Sequence, residues 1–180
     1  MDTVREIEAA INGTGPIPAE HVRKWMKDRD LEAQGAVAHL ITYPPQCDRI
    51  EPTLDEDDYE AFLPRYYEVC LRRDPEGEWV DTRYGVAWQI VDWFNTVPDE
   101  DDVDDYPFLA FLRDWMAEVY KEGEDEVREA LVQGVLSHIL EDGRWRPFFA
   151  GWRDDPVLKE AIDAAMEWAV ENEKESGTSD

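Results

Sequence analysis

Three short stretches of this chain read as copies of one another, and they restrict its fold more than any other feature. They are Gln34-Gly35-Ala36-Val37-Ala38-His39-Leu40-Ile41, Tyr84-Gly85-Val86-Ala87-Trp88-Gln89-Ile90-Val91 and Gln133-Gly134-Val135-Leu136-Ser137-His138-Ile139-Leu140. In each, a hydrogen-bonding side chain (His39, Gln89 or His138) follows the glycine by four residues, and two large aliphatics close the run. The glycines are spaced by 50 and then 49 residues. A second series keeps the register: Phe62-Leu63, Tyr66-Tyr67 and Cys70-Leu71 recur as Phe111-Leu112, Trp115-Met116 and Val119-Tyr120, at a constant offset of 49. A period of that length marks stacked helical units, none of which buries its apolar face alone. The expected fold is all-α: a HEAT-like stack of helical hairpins, about eight helices in a single domain over 1–173.

The chain in order fills in that frame. Residues 1–29 form an N-terminal capping hairpin, with Val4, Ile7 and Ile11 on one helix and Val22, Trp25 and Met26 on the next. The repeats are expected over 30–77, 78–123 and 124–172. The first has a leading helix over 31–42, stopped by Tyr43-Pro44-Pro45, and a second from Tyr59 to about Arg72. Pro64 predicts a kink or a delayed start in that second helix. In the central repeat a leading helix over 79–95 is apolar on more than one stripe, as a helix flanked on several sides should be. Its partner starts at Pro107. The third unit opens at Glu124-Asp125 and closes with a helix after Asp155-Pro156. Residues 174–180 carry no apolar periodicity and are expected to form a disordered tail.

Charge separates the function classes. The chain has 44 acidic and 18 basic residues, a formal net charge of -26. Such a surface repels phosphate backbones and anionic lipid, which excludes direct nucleic-acid binding and attracts a basic protein partner. A solubility or high-salt adaptation is the plain alternative. No apolar run is long enough for a membrane span, and the acidic start Met1-Asp2 is not a secretory signal. Cys47 and Cys70 read as free thiols in a reducing cytoplasm. The sequence does not specify an oligomeric state.

The candidate binding residues are acids in the loops between the paired helices: Asp55, Glu56, Asp57 and Asp58, then Asp99, Glu100, Asp101, Asp102, Asp104 and Asp105, with Asp154-Asp155 at the third position. Stacking would line them along one edge. One acid at a helix start is ordinary capping, and Asp58, Asp105 and Asp155 are assigned that role. Capping does not account for six acids among the seven residues 99–105. The aromatic, basic connector 144–153, with Trp145 and Trp152, is a second candidate contact patch. Structural wedging between helices is the alternative for it. The in-phase glycines predict close approach of a neighbouring helix, and His39, Gln89 and His138 are expected to bond a neighbouring loop.

Catalytic readings find little support. His138 and Glu141 resemble half of a carboxylate-bridged metal site, but no second Glu-x-x-His partner exists. The sequence lacks an EF-hand loop, a nucleotide-binding loop, a nucleophile elbow, a Cys-x-x-Cys pair and a His-Glu-x-x-His helix. No catalytic residue, metal or cofactor is assigned.

From Phe111-Leu112-Arg113 to Trp168 the chain resembles the small helical immunity proteins of bacterial polymorphic and contact-dependent toxin systems. The residues that carry this are the run 124–142, with Gly134-Val135-Leu136 and Ile139-Leu140 at its centre, the aromatic connector, and the closing helix with Trp168. The chain has Ser137-His138 where that family often reads Leu-Glu. The resemblance implies a non-catalytic inhibitor of a toxin and carries over no functional residue. The expectation is a cytoplasmic immunity protein that neutralises a basic toxin, a nuclease for example. The alternatives are a helical-repeat scaffold or adaptor, and a metal-dependent enzyme using His138, Glu141 and the acidic loops.

Overall fold

The computed structural model describes residues 3–176, with side chains up to Ala169 except that of Asp104. The fold is all-α, as the periodicity predicts. Strand is confined, among the described residues, to a two-residue parallel pairing of β1 (Ile17–Pro18) with β2 (Ile50–Glu51). The chain divides into two compact units, Met1–Thr82 and Arg83–Asp180. The division falls inside the segment expected to form the central repeat. Residues 174–176 belong to the last helix, and the rest of the expected tail lies outside the described residues.

The first unit is built on α3 (Leu31–Thr42), which matches its expected bounds. Asp30 caps its start by accepting from the Glu32 amide at 2.9 Å, and Pro44 follows its last turn. Ala33, Gly35, Ala36, Val37, Ala38, Leu40 and Ile41 are all buried, so this helix is covered on most of its circumference. It packs against α1 (Thr3–Asn12), α2 (Ala19–Trp25) and α4 (Glu56–Arg73). Arg49 donates to the carbonyls of Ala10 and Gly13 and so ties off the C-terminal end of α1.

Helix α4 starts three residues before its expected beginning. Asp55 and Asp58 form a reciprocal capping box that nucleates the first turn there, and Pro64 lies inside the helix rather than delaying it. Its ring removes one amide donor from the ladder. Phe62, Leu63, Tyr66, Tyr67, Cys70 and Leu71 are buried, as the 49-residue register requires.

The second unit contains α5 (Arg83–Asn95), α6 (Pro107–Glu122), a long interrupted helix and α9 (Pro156–Ser176). The interrupted helix runs from α7 (Asp125–Leu131) through one π turn (Val132–Leu136) into α8 (Ser137–Glu141). Helix α5 packs on α7, the π turn and α8, while α9 covers α8, the π turn and α6. Phe94 meets Trp145, Phe148 and Phe149, and Phe149 in turn meets Trp152, in a mostly edge-to-face cluster with neighbouring ring centroids 5.0–6.1 Å apart. Each such pair contributes about 0.5–1.5 kcal/mol beyond its buried area. The connector is therefore part of the core. This corrects the reading of Trp145 and Trp152 as a contact patch: they are 1% and 5% exposed and serve as wedges.

Candidate protein-binding surface

The loop 99–105, with six acids in seven residues, is held at both ends. At its start, Arg144 donates to the carbonyls of Val97 and Pro98 at 2.8 Å each. The same guanidinium is fixed by Asp142 at 2.7 Å and lies over the Trp145 ring. Val97 is buried beside it. At its end, the Tyr106 hydroxyl donates to the Asp101 carboxylate, and that bond raises the phenol above its ordinary pKa. Between these anchors the chain makes a turn closed by Asp101 N–H to the Pro98 carbonyl, then a 3-10 turn over Val103–Asp105.

Asp99, Glu100, Asp101, Asp102 and Asp105 are all exposed, and the Asp99 side chain is 96% so. Arg144 comes within 3.6 Å of Asp99, but it is shared with Asp142 and two carbonyls. Asp105 is not a helix cap, contrary to expectation. Tyr106 occupies the N-cap position of α6 without a capping side chain, and Pro107 follows at a position where no N–H needs a partner. No side chain caps the start of α6, so capping does not account for the acids of this loop. The side chain of Asp104 is outside the described set.

The other acidic loops are spent differently. Asp58 receives Arg23 through Nε at 2.9 Å and Nη2 at 2.7 Å, besides its place in the capping box. The Arg23 hydrogen bonds hold its carboxyl below the usual carboxylate range. Asp55 caps α4 and also lies 3.5 Å from Arg23, whereas Glu56 and Asp57 are exposed on its first turn. Asp155 caps α9 by accepting from Val157 N–H at 2.9 Å and pairs with Lys121 at 3.0 Å. The first and third loops are mainly helix-starting devices, and the loop 99–105 is a presented charge.

The repeated glycines also resolve into distinct roles. A Cβ on Gly35 would lie 2.2 Å from the Trp79 carbonyl oxygen. The neighbour there is a loop, not the helix expected. Residues 77–81 fold back onto the first unit: Glu32 accepts from the Glu78 and Trp79 amides, Glu8 from the Trp79 indole, and Tyr66 from the Asp81 amide. His39 meets the Trp79 ring edge-on at 5.4 Å. This attachment is why α5 begins at Arg83 rather than at 79. At Gly134 the expectation of a close helix holds, because the added Cβ would meet Ala87 at 2.9 Å and Tyr84 at 3.2 Å, both on α5. Gly85 is half-buried.

Sequence reasoning did not single out Tyr84 and Trp88. They stand one turn apart on α5, 45% and 52% exposed, and the Trp88 ring lies tilted against His138 with centroids 4.6 Å apart. Asp92, one turn further, is exposed on the same row. The i, i+4, i+8 spacing, opposite the buried arc of Val86, Ile90 and Phe94, is the signal that would have found them.

Among the described residues no three His, Cys, Asp or Glu side chains gather closely enough to hold a metal ion. No described helix is long and apolar enough to cross a membrane. Both cysteines are free, and burial pushes the Cys70 thiol up to about 12, which suppresses the reactive thiolate. Comparisons with protein-family models, curated proteins and solved structures found no match to this chain.

Proposed function

We propose that this chain is a non-catalytic protein-binding inhibitor that covers a basic partner with its acidic surface, as an immunity protein covers its toxin. One observation carries the reading. The loop 99–105 presents at least five exposed carboxylates, none used to cap α6, on a segment anchored by Arg144 and Tyr106. Anchoring like charges side by side is unfavourable in the free protein. The repulsion falls when a cationic surface docks, and the fixed position avoids part of the ordering cost of binding.

The test compares wild type with a variant in which Asp99, Glu100, Asp101 and Asp102 become Asn or Gln. Association with a basic partner captured on the wild-type chain should slow by about tenfold at low salt, with a shallower salt dependence. Melting should be unchanged or slightly higher. Equal association rates with equal salt slopes would remove the loop from the interface, and loss of solubility alone would assign the charge to colloidal stability.

A further inference from the structure

We infer that the row Tyr84, Trp88 and Asp92, with His138 and Glu141 beside it, is a seat for an arginine side chain of the basic partner. The inference rests on the proposed binding of such a partner and specifies where its contact is strongest. The row lies within the second unit and is built by the motif itself. Gly134 has no side chain, so the Tyr84 ring settles over the helix there. That fixes α5 close to α8 and brings Trp88 onto the His138 ring, one turn after the glycine. Tyr84 and Trp88 remain about half open despite these contacts. They are two of the few large hydrophobic side chains exposed among the described residues.

Charge complementarity names the occupant. Asp92 extends the aromatic row on α5, and the Glu141 carboxylate lies 3.9 Å from His138 Nδ1 with its side chain 39% exposed. A half-exposed indole with one carboxylate a turn along its helix and another beside its histidine neighbour favours a planar cation. A guanidinium stacks on the ring while its edge donates to the acids. Lysine gains the ring attraction without the planar fit. Tryptophan, tyrosine and arginine also dominate the energetic centres of protein interfaces, whereas exposed rim charges mainly tune the encounter. The acidic loop would then set the association rate, and this row the lifetime of the complex.

The probe is a short Arg-Gly repeat peptide titrated into the full chain, with a Lys-Gly repeat and a neutral proline-rich peptide as comparators. The Trp88 indole N–H resonance, assigned by its loss in Trp88→Phe, should shift on adding the arginine peptide and less with the lysine peptide. Trp88→Ala should weaken the arginine peptide by roughly three- to thirtyfold through faster dissociation, at unchanged salt slope. Asp92→Asn with Glu141→Gln should weaken it severalfold. If Trp88→Ala does not fold, Trp88→Phe keeps a flat ring of weaker quadrupole and should show a smaller loss of the same sign.

Arginine-peptide binding that leaves the Trp88 resonance still and Trp88→Ala unaffected overturns the inference while leaving the acidic-loop reading intact. A Trp88 shift with the proline-rich peptide alone overturns it in favour of an uncharged partner. An unchanged salt slope in the 99–102 variant, with Trp88 still responsive, overturns the loop reading and keeps this one. Absence of arginine-peptide binding at about 50 mM salt, where screening is weak, overturns both.

Discussion

At Gly35 the missing side chain makes room for a main-chain carbonyl, that of Trp79, whereas at Gly134 it makes room for the Ala87 methyl and the Tyr84 ring. Both glycines stand at the same phase of the same motif, and both are followed one turn later by a histidine whose ring meets a tryptophan, edge-on at His39 and tilted at His138. In the first unit that tryptophan is half-buried and hydrogen-bonded to Glu8. In the second it is 52% exposed. The motif thus specifies a seat on a helix and leaves its occupant to the surrounding chain. One seat secures a returning loop, and the other secures a helix whose outer row stays available.

The sharpest way to break this comparison is Gly35→Ala. The new methyl would meet the Trp79 carbonyl oxygen at 2.2 Å and its carbon at 2.7 Å, and neither is the end of a flexible side chain. The loop 77–81 would have to lift, loosening its bonds to Glu32 and Tyr66. The expected loss is about 3 kcal/mol, a fall in melting temperature of about 6–12 °C. Calorimetry or circular dichroism checks it. An alanine variant that melts like wild type would mean that the carbonyl does not sit over this glycine.

Gly134→Ala should cost less, about 1 kcal/mol. The clash with Ala87 Cβ at 2.9 Å is partly offset by the better helix propensity of alanine, and the half-exposed Tyr84 ring can swing away. The pair with Ala87→Gly sharpens the point. Removing the Ala87 methyl transfers the empty space to the other helix, so the double variant should be more stable than the sum of the two single losses predicts. Strict additivity would show that the two positions do not touch.

The fold was legible where periodicity acts on buried groups. The register of 49 placed Phe62 through Leu71 on the inside of α4, and Leu112, Met116, Val119 and Tyr120 on the inside of α6. Proline and the Asp30 cap set the bounds of α3. Positions governed by contacts distant in sequence were not legible. The detachment of residues 79–82 from α5 depends on carboxylates at Glu8 and Glu32, more than 40 residues earlier. Trp145 and Trp152 carry the composition of a contact patch, and only the packing of Trp145 on the distant Phe94, and of Trp152 on Phe149, shows that they are core. Of the candidate site, the acidity of loop 99–105 was legible in composition, and its anchoring was not, because Arg144 reaches it from 46 residues away.

The smallest expected effect separates the two tryptophans, and it is read from a matched pair of conservative variants. Trp79→Phe keeps a ring against His39 but removes the indole N–H that Glu8 accepts at 3.0 Å. Losing that charge-assisted bond in a half-buried place should cost about 1 kcal/mol. Trp88→Phe keeps a ring against His138 at a position already half in solvent, so the folding cost should stay within about 0.5 kcal/mol. Chemical denaturation of both variants alongside wild type measures the difference directly. A larger loss for Trp88→Phe than for Trp79→Phe would make Trp88 a structural residue of the second unit. A negligible loss leaves a large aromatic surface that folding does not require, which is the condition for it to serve binding.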